Sequence, residues 1–281
     1  MDAETVYFGV GFVCEALFLS PVYGRIIWIF LSLKKFRNVA CYRIMIQIGL
    51  VQLSMAPGTF LMGLAAVTGS DFLSLVNFFV KITVSSLRME GVLGLMLALS
   101  RLDVMCRLGL PKPLFCVLLT LCWSFYAAHL AVYFTPWTDY ILVADTYLLR
   151  DDYSRPYTYL IGQIGDIIYG VCIAGSLLCY VVIIVYLIYI KIMTKSVKNL
   201  KQEISLLLYA ISRFFCDATL TTVHCLRLVH GVRNERILYT VFILNNLLIP
   251  PVLYLIMNSA VRREFFKCKK NNAVVQVTVN K

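Results

Sequence analysis

The sequence predicts an all-α membrane protein: a bundle of seven transmembrane helices, amino terminus outside, with a short amphipathic cytoplasmic helix after the seventh span. Three observations carry this. Sixty per cent of the 281 residues are hydrophobic and 15% charged, with a mean hydropathy of +0.80, against roughly 45–50% apolar and about 25% charged in a soluble domain. The apolar residues fall into seven runs, each long enough to cross a hydrocarbon core of about 30 Å as a helix. Lys and Arg are unevenly shared between the two sets of connecting segments, 17 on one side and 5 on the other. By the positive-inside rule this places the basic carboxy-terminal tail in the cytoplasm.

The same numbers exclude other classes. A net charge of +11 can mark a nucleic-acid partner, but here the basic residues sit in short loops between apolar runs, where they set topology and meet lipid headgroups. The ten cysteines show no CxxC and no Cys/His metal spacing, so they read as small buried hydrophobes. His129, His224 and His230 are too scattered to hold a metal. No His-Glu-x-x-His and no Gly-x-Gly-Asp is present, so neither an enzyme nor a cofactor is expected. The length suits one seven-span domain over residues 1–270 and a short tail over 271–281.

The first span, about 6–33, is too long for a signal peptide and has no basic flank before it; Pro21 predicts a kink in it. Lys34, Lys35, Arg37 and Arg43 form a basic loop before the second span, about 44–67, whose polar or irregular points are Gln47, Gln52, Ser54 and Pro57-Gly58. The third span covers about 73–105, and Pro111 and Pro113 open the fourth, about 114–134. Residues 135–158 form the longest hydrophilic connection, ending in a Ser154/Pro156 helix start. The fifth span, about 159–193, outruns the bilayer. Lysines 191, 195, 198 and 201 precede the sixth, about 204–228, and the seventh covers about 237–259. An interfacial helix over 261–270 would turn Phe265 and Phe266 to lipid and its basic residues to headgroups. Cys268 is a lipidation candidate.

The third span organises the rest, because it carries Lys81, Arg88, Glu90 and Arg101 through an apolar run. A charge near the bilayer centre costs at least about 2.5–3.5 kcal/mol, so such residues face a bundle interior and mark function. At 100° per residue, Lys81 and Arg88 share one face and Glu90 and Arg101 the opposite one. Two readings stay open. Lys81 and Arg88 form cationic walls of an outer pocket for an acidic or strongly hydrogen-bonding ligand, with Asp166 of the fifth span as counter-charge; or Arg88 and Asp166 are a structural ion pair and Lys81 snorkels. Glu15 suits either cation. In the sixth span Arg213 and Asp217 are spaced i,i+4 and pair locally, or latch the sixth helix to the third near the cytoplasmic end.

Four short motifs add a resemblance: Tyr42-Arg43-Ile44-Met45, Leu97-Ala98-Leu99-Ser100-Arg101, Pro250-Pro251-Val252-Leu253-Tyr254 and Asn258-Ser259-Ala260-Val261-Arg262-Arg263. Together they resemble the nematode serpentine chemoreceptors, a superfamily of seven-transmembrane G-protein-coupled receptors, near serpentine receptor classes T, X or XA. The resemblance implies a chemosensory receptor in the plasma membrane, by family in a sensory cilium, that binds a small-molecule or peptide ligand from outside and activates a heterotrimeric G protein. It implies switch roles for Arg101, Arg213, Asp217, Pro251 and Tyr254. The chain departs from the pattern at Ser100, where an Asn or Asp is usual, and at Pro250, which stands where an Asn is usual. The sixth span lacks a proline, no cysteine lies in residues 135–158, and the seventh span has no Lys for a retinal Schiff base. The competing class is a seven-helix ion channel or transporter using the buried charges as an ion path, against which the missing internal repeats count.

Overall fold

The computed structural model describes residues 3–70, 75–143, 147–194, 201–225 and 231–267. Helices dominate, as a chain without water partners for its backbone requires. The first is α1 (Ala3–Ser32), assigned without a break through Pro21, followed by the single turn α2 (Lys34–Arg37). The second predicted span is two helices, α3 (Ala40–Leu53) and α4 (Ala56–Thr68). Pro57 lacks the N–H that would reach the Leu53 carbonyl, so the ladder fails there and restarts with Pro57 in the first turn. Gly69 ends α4 at φ 73°, returning its N–H to the Ala65 carbonyl at 2.8 Å.

The third span is α5 (Leu75–Cys106) and the fourth α6 (Lys112–Tyr133). Between them Asp103 accepts the Leu110 N–H at 2.8 Å across a tight turn. The long connection after α6 holds an antiparallel hairpin that the sequence pattern did not predict, β1 (Tyr140–Val143) with β2 (Leu148–Asp151), in the register Tyr140 to Asp151. Neither strand alternates apolar and polar residues, so the period-2 cue was missing. The fifth span is α7 (Thr158–Thr194), 37 residues long, and the sixth α8 (Lys201–Cys225). The seventh divides at Leu248 into α9 (Val232–Leu247) and α10 (Ile249–Met257), because Pro250 and Pro251 remove two successive donors. A short helix α11 (Ser259–Phe265) follows, capped by Asn258, whose Oδ1 accepts the Ala260 and Val261 N–H groups.

Among the described residues, six helical stretches are long and apolar enough to cross a membrane: α1, α3 with α4, α5, α6, α7, and α9 with α10. The sixth predicted span, α8, 25 residues long, is not in that set. Helix α5 is central, packing against α3, α4, α6, α7 and α8, with β1 over its start. Helix α1 lies on α4, and their backbones approach closely at Gly9 and Gly63. A Cβ on Gly63 would stand 2.6 Å from the Gly9 carbonyl oxygen, a contact that only small residues permit. Phe265 does not face outward with Phe266. Successive helical positions are 100° apart, and Phe265 packs beneath Arg25, whose guanidinium lies 4.9 Å from the ring centre, while Phe266 is 69% exposed. Cys268 and residues 271–281 lie outside the described residues, as do Lys195 and Lys198 between α7 and α8.

Candidate functional site

The helix breaks bring polar groups to one level of the bundle. Gln52 ends α3 just before its break and Asn245 and Asn246 end α9 just before theirs, while Glu90 and Arg213 lie near the middles of α5 and α8. Arg213 donates to a Glu90 carboxylate oxygen, to the Asn245 carbonyl, to Asn246 Oδ1 at 2.6 Å and to Asp217 Oδ1 at 2.9 Å. Gln52 donates to the same Glu90 oxygen, and the Tyr23 hydroxyl donates to Gln52 Oε1 at 2.5 Å. Asn245 Nδ2 donates to Asp217 at 2.7 Å, and its own buried Oδ1 has no hydrogen-bond partner among the described residues. Two carboxylates therefore share one guanidinium, and five helices meet in one hydrogen-bonded set. In a low-dielectric interior such a set rigidifies when satisfied and is costly when broken.

The local Arg213–Asp217 pair expected from the sequence is present. Its level is not the one expected: the link to α5 lies mid-bundle at Glu90 rather than near a helix end. Asp217 is one turn from Arg213, whereas Glu90 reaches it only because α5 and α8 pack together. Glu90, Gln52, Tyr23 and the two asparagines were not assigned to this site from the sequence. An uncompensated Glu in mid-span, and an Asn-Asn pair ahead of Pro250-Pro251, are the signals that could have found them.

Toward the hairpin, Lys81 and Arg88 do not share Asp166. Arg88 pairs with Asp166 across α5 and α7, while Lys81 pairs with Asp139 at 2.9 Å and lies 5.3 Å from the Phe134 ring centre. Glu15 makes no ion pair with either cation among the described residues. Asp151 of β2 joins the edge of this cluster. Burial pushes its carboxyl up, the nearby Arg88 charge pulls it down, and Asp166 adds to the rise. Asp152 is held below the ordinary carboxylate range by the Ser154 hydroxyl and N–H, which both donate to it. Arg150 ties the hairpin to the start of α9 through Glu235 at 2.7 Å.

At the other end, Arg101 is 1% exposed and among the largest fully buried side chains, with Ser100 beside it buried as well. It is not the snorkelling anchor an isolated terminal arginine would be. Tyr254 stacks on Tyr209 with ring centres 4.6 Å apart and accepts that hydroxyl at 2.8 Å, while Phe30 meets its edge. Pro251 is buried beneath this group at the start of α10. Asn258 donates to the Tyr42 hydroxyl at 2.7 Å, joining the start of α11 to α3.

A crevice with room for about one water molecule, about 20 Å³, opens between α4, α5 and α9. Thr59, Thr83, Leu87, Tyr239 and Ile243 line it, and Asn246 of the central network joins them. Lys81, Arg88 and Asp166 are not among its lining residues.

No known protein family and no curated protein matches the sequence. Among solved structures the fold matches the crystal structure of squid rhodopsin, with a TM-score of 0.77 over 94% of this chain and 84% of that one, at 13% identity. The chain is a multi-pass, mostly helical protein with the fold of squid rhodopsin.

Proposed function

We propose that the chain is a chemosensory G-protein-coupled receptor of the nematode serpentine kind, set in the plasma membrane with its amino terminus outside and α11 in the cytoplasm. The observation that carries the reading is the rhodopsin fold over nearly the whole chain. Beside it stands a buried ionic set that ties the third, sixth and seventh helices together at one level. A ligand shifts a receptor only by binding one arrangement of the bundle better than the other. Here the bistable element is the Glu90–Arg213–Asn246 set, and the sixth helix moves when it rearranges.

In this reading Lys81, Arg88 and Asp166 form an ion-paired wall at the outer mouth through which ligand passes. Arg213 and Asp217 hold the resting state, and the stacked Tyr254 above Pro251 transmits the change. Arg101 meets the G protein once the helices part, and Cys268 takes a lipid that fastens the tail to the membrane. The 17-to-5 bias of basic residues supports the orientation.

Purified protein in nanodiscs with a heterotrimeric G protein tests this. A ligand panel should contain a compound that accelerates nucleotide exchange, and Arg101→Met should abolish that response while folding and surface delivery persist. Ligand-independent ionic currents from the purified protein, with no exchange for any ligand, would sink the reading in favour of a channel. An amino-terminal tag stained only after permeabilisation would overturn the orientation.

A further inference from the structure

Charge does not balance in the buried set between α5, α8 and α9. Arg213 brings one positive charge, while Glu90 and Asp217 bring two carboxyl groups. The other titratable groups facing Asp217 are phenols: Tyr209 on its own helix, and Tyr169 and Tyr180 on α7. Phenols are uncharged in the physiological range, and α9 offers only the amides of Asn245 and Asn246. With both carboxyls ionised, the bundle interior would hold one uncompensated negative charge, where it is costly.

A second observation falls in the same place. The Asn245 side chain donates to Asp217 Oδ1 at 2.7 Å. Its own Oδ1, in a residue only 3% exposed, has no hydrogen-bond partner among the described residues. An amide carries its oxygen and nitrogen on one carbon, so a group held by the nitrogen is within reach of the oxygen. An ionised carboxylate can only accept, whereas a protonated one also donates. One proton on the second Asp217 oxygen removes the excess charge and supplies the missing donor together.

We infer that Asp217 is a proton-binding site, a carboxylic acid that closes onto the Asn245 amide through a ring of two hydrogen bonds and so joins α8 to α9. Glu90 is the carboxyl that stays ionised, because one of its oxygens receives both Arg213 and Gln52. Asp217, with 21% of its side chain exposed against 8% for Glu90, is the one open to proton exchange. A metal cation in place of the proton would lie against the guanidinium, which already donates to both carboxyls. A water would satisfy the amide and leave the charge.

Release of the proton is a transfer to solvent: the O–H bond breaks, its electron pair stays on Asp217, and the set becomes negative. Glu90 and Asp217 then repel each other and compete for Arg213, which loosens α8 from α5. Alkaline conditions therefore favour the parted helices. This regulation rests on the receptor reading; the proton site does not.

Infrared spectroscopy of the full chain in nanodiscs at neutral pH tests the site, because the carbonyl stretch of a carboxylic acid stands apart from those of carboxylates and shifts in heavy water. Heavy carbon in the side-chain carboxyl of aspartate moves aspartic acid bands and leaves those of Glu15 and Glu90. An aspartic acid band should be present, Asp217→Asn should erase it, and Asp151→Asn should not. Glu90→Gln leaves Arg213 with Asp217 as its only carboxyl, so there the band should be lost as Asp217 ionises. No aspartic acid band in the unaltered protein, a band untouched by Asp217→Asn, or one that persists in Glu90→Gln would each overturn the proposal. The first of these needs no substitution and decides the matter even where the variants do not fold. Basal G-protein nucleotide exchange should rise severalfold toward alkaline pH, relative to Asp217→Asn. The acid band without exchange at any pH would support the proton site and count against the receptor reading. Exchange that follows pH while Asp217 is already ionised would do the reverse.

Discussion

Glu90 and Arg213 stand 123 positions apart in the chain, yet they form an ion pair in which each side chain is only 8% exposed. Removing one partner of such a pair costs about 3–5 kcal/mol, because the other charge is left buried and alone. Glu90→Gln falls below that range, since Asp217 still faces the guanidinium. Arg213→Met is the more damaging, because it strands both carboxylates. The double variant Glu90→Leu/Arg213→Met should lose less stability than the two single losses added, and thermal unfolding in nanodiscs measures all four corners of that cycle.

The α1–α4 contact is decided by two glycines. A Cβ at Gly63 would meet two backbone atoms, the Gly9 oxygen at 2.6 Å and the Val13 nitrogen at 2.9 Å, and the Phe12 Cβ at 3.0 Å. Backbone cannot swing aside as a side chain can, so the helices must separate. Gly63→Ala should cost about 1–3 kcal/mol, seen as a lower midpoint of thermal unfolding. Gly24→Ala, where a Cβ meets nothing within 4 Å, is the control and should leave that midpoint unchanged or raise it.

Lys81 and Asp139 couple the hairpin connection to α5. The pair is partly buried, with 15% and 24% of the side chains exposed, and Asp139 also accepts the Tyr140 N–H at 2.8 Å. Lys81→Met should weaken the hairpin by about 1 kcal/mol, a roughly fivefold faster amide exchange in β1 and β2. The difference should shrink as salt is raised.

Asp151 makes a pH prediction with a definite sign. Its carboxyl is raised in the folded protein, chiefly by burial, so ionising it opposes folding. That penalty is absent below the ordinary aspartate value of 3.8, grows as pH rises through the raised value, and is complete above it. Asp151→Asn should therefore make the hairpin end more resistant to heat at neutral pH than the unaltered protein, with the two converging in acid. Unfolding midpoints across pH check it; an advantage that instead grows on acidification would show that the Arg88 attraction outweighs burial.

What could be read along the chain was whatever depends on near neighbours. Pro57 and Pro250-Pro251 announce the two broken spans, the apolar runs locate the helices, and Asp217 finds Arg213 one turn away, since each is a matter of spacing within a single element. The hairpin escaped because Tyr140-Ile141-Leu142-Val143 carries no alternation. Phe265 was misdirected because its inward turn comes from Arg25, 240 positions away. Glu90 was visible as a buried charge without a partner, but its depth in α5 says nothing of which helix faces it. Only packing brings Tyr23, Gln52, Glu90, Arg213 and Asn246 to one place. Helix rotation and neighbour choice are long-range outcomes of the close contacts at Gly9, Gly63 and Gly91. The charges of this protein are written in its sequence, and their pairings are written in how its helices meet.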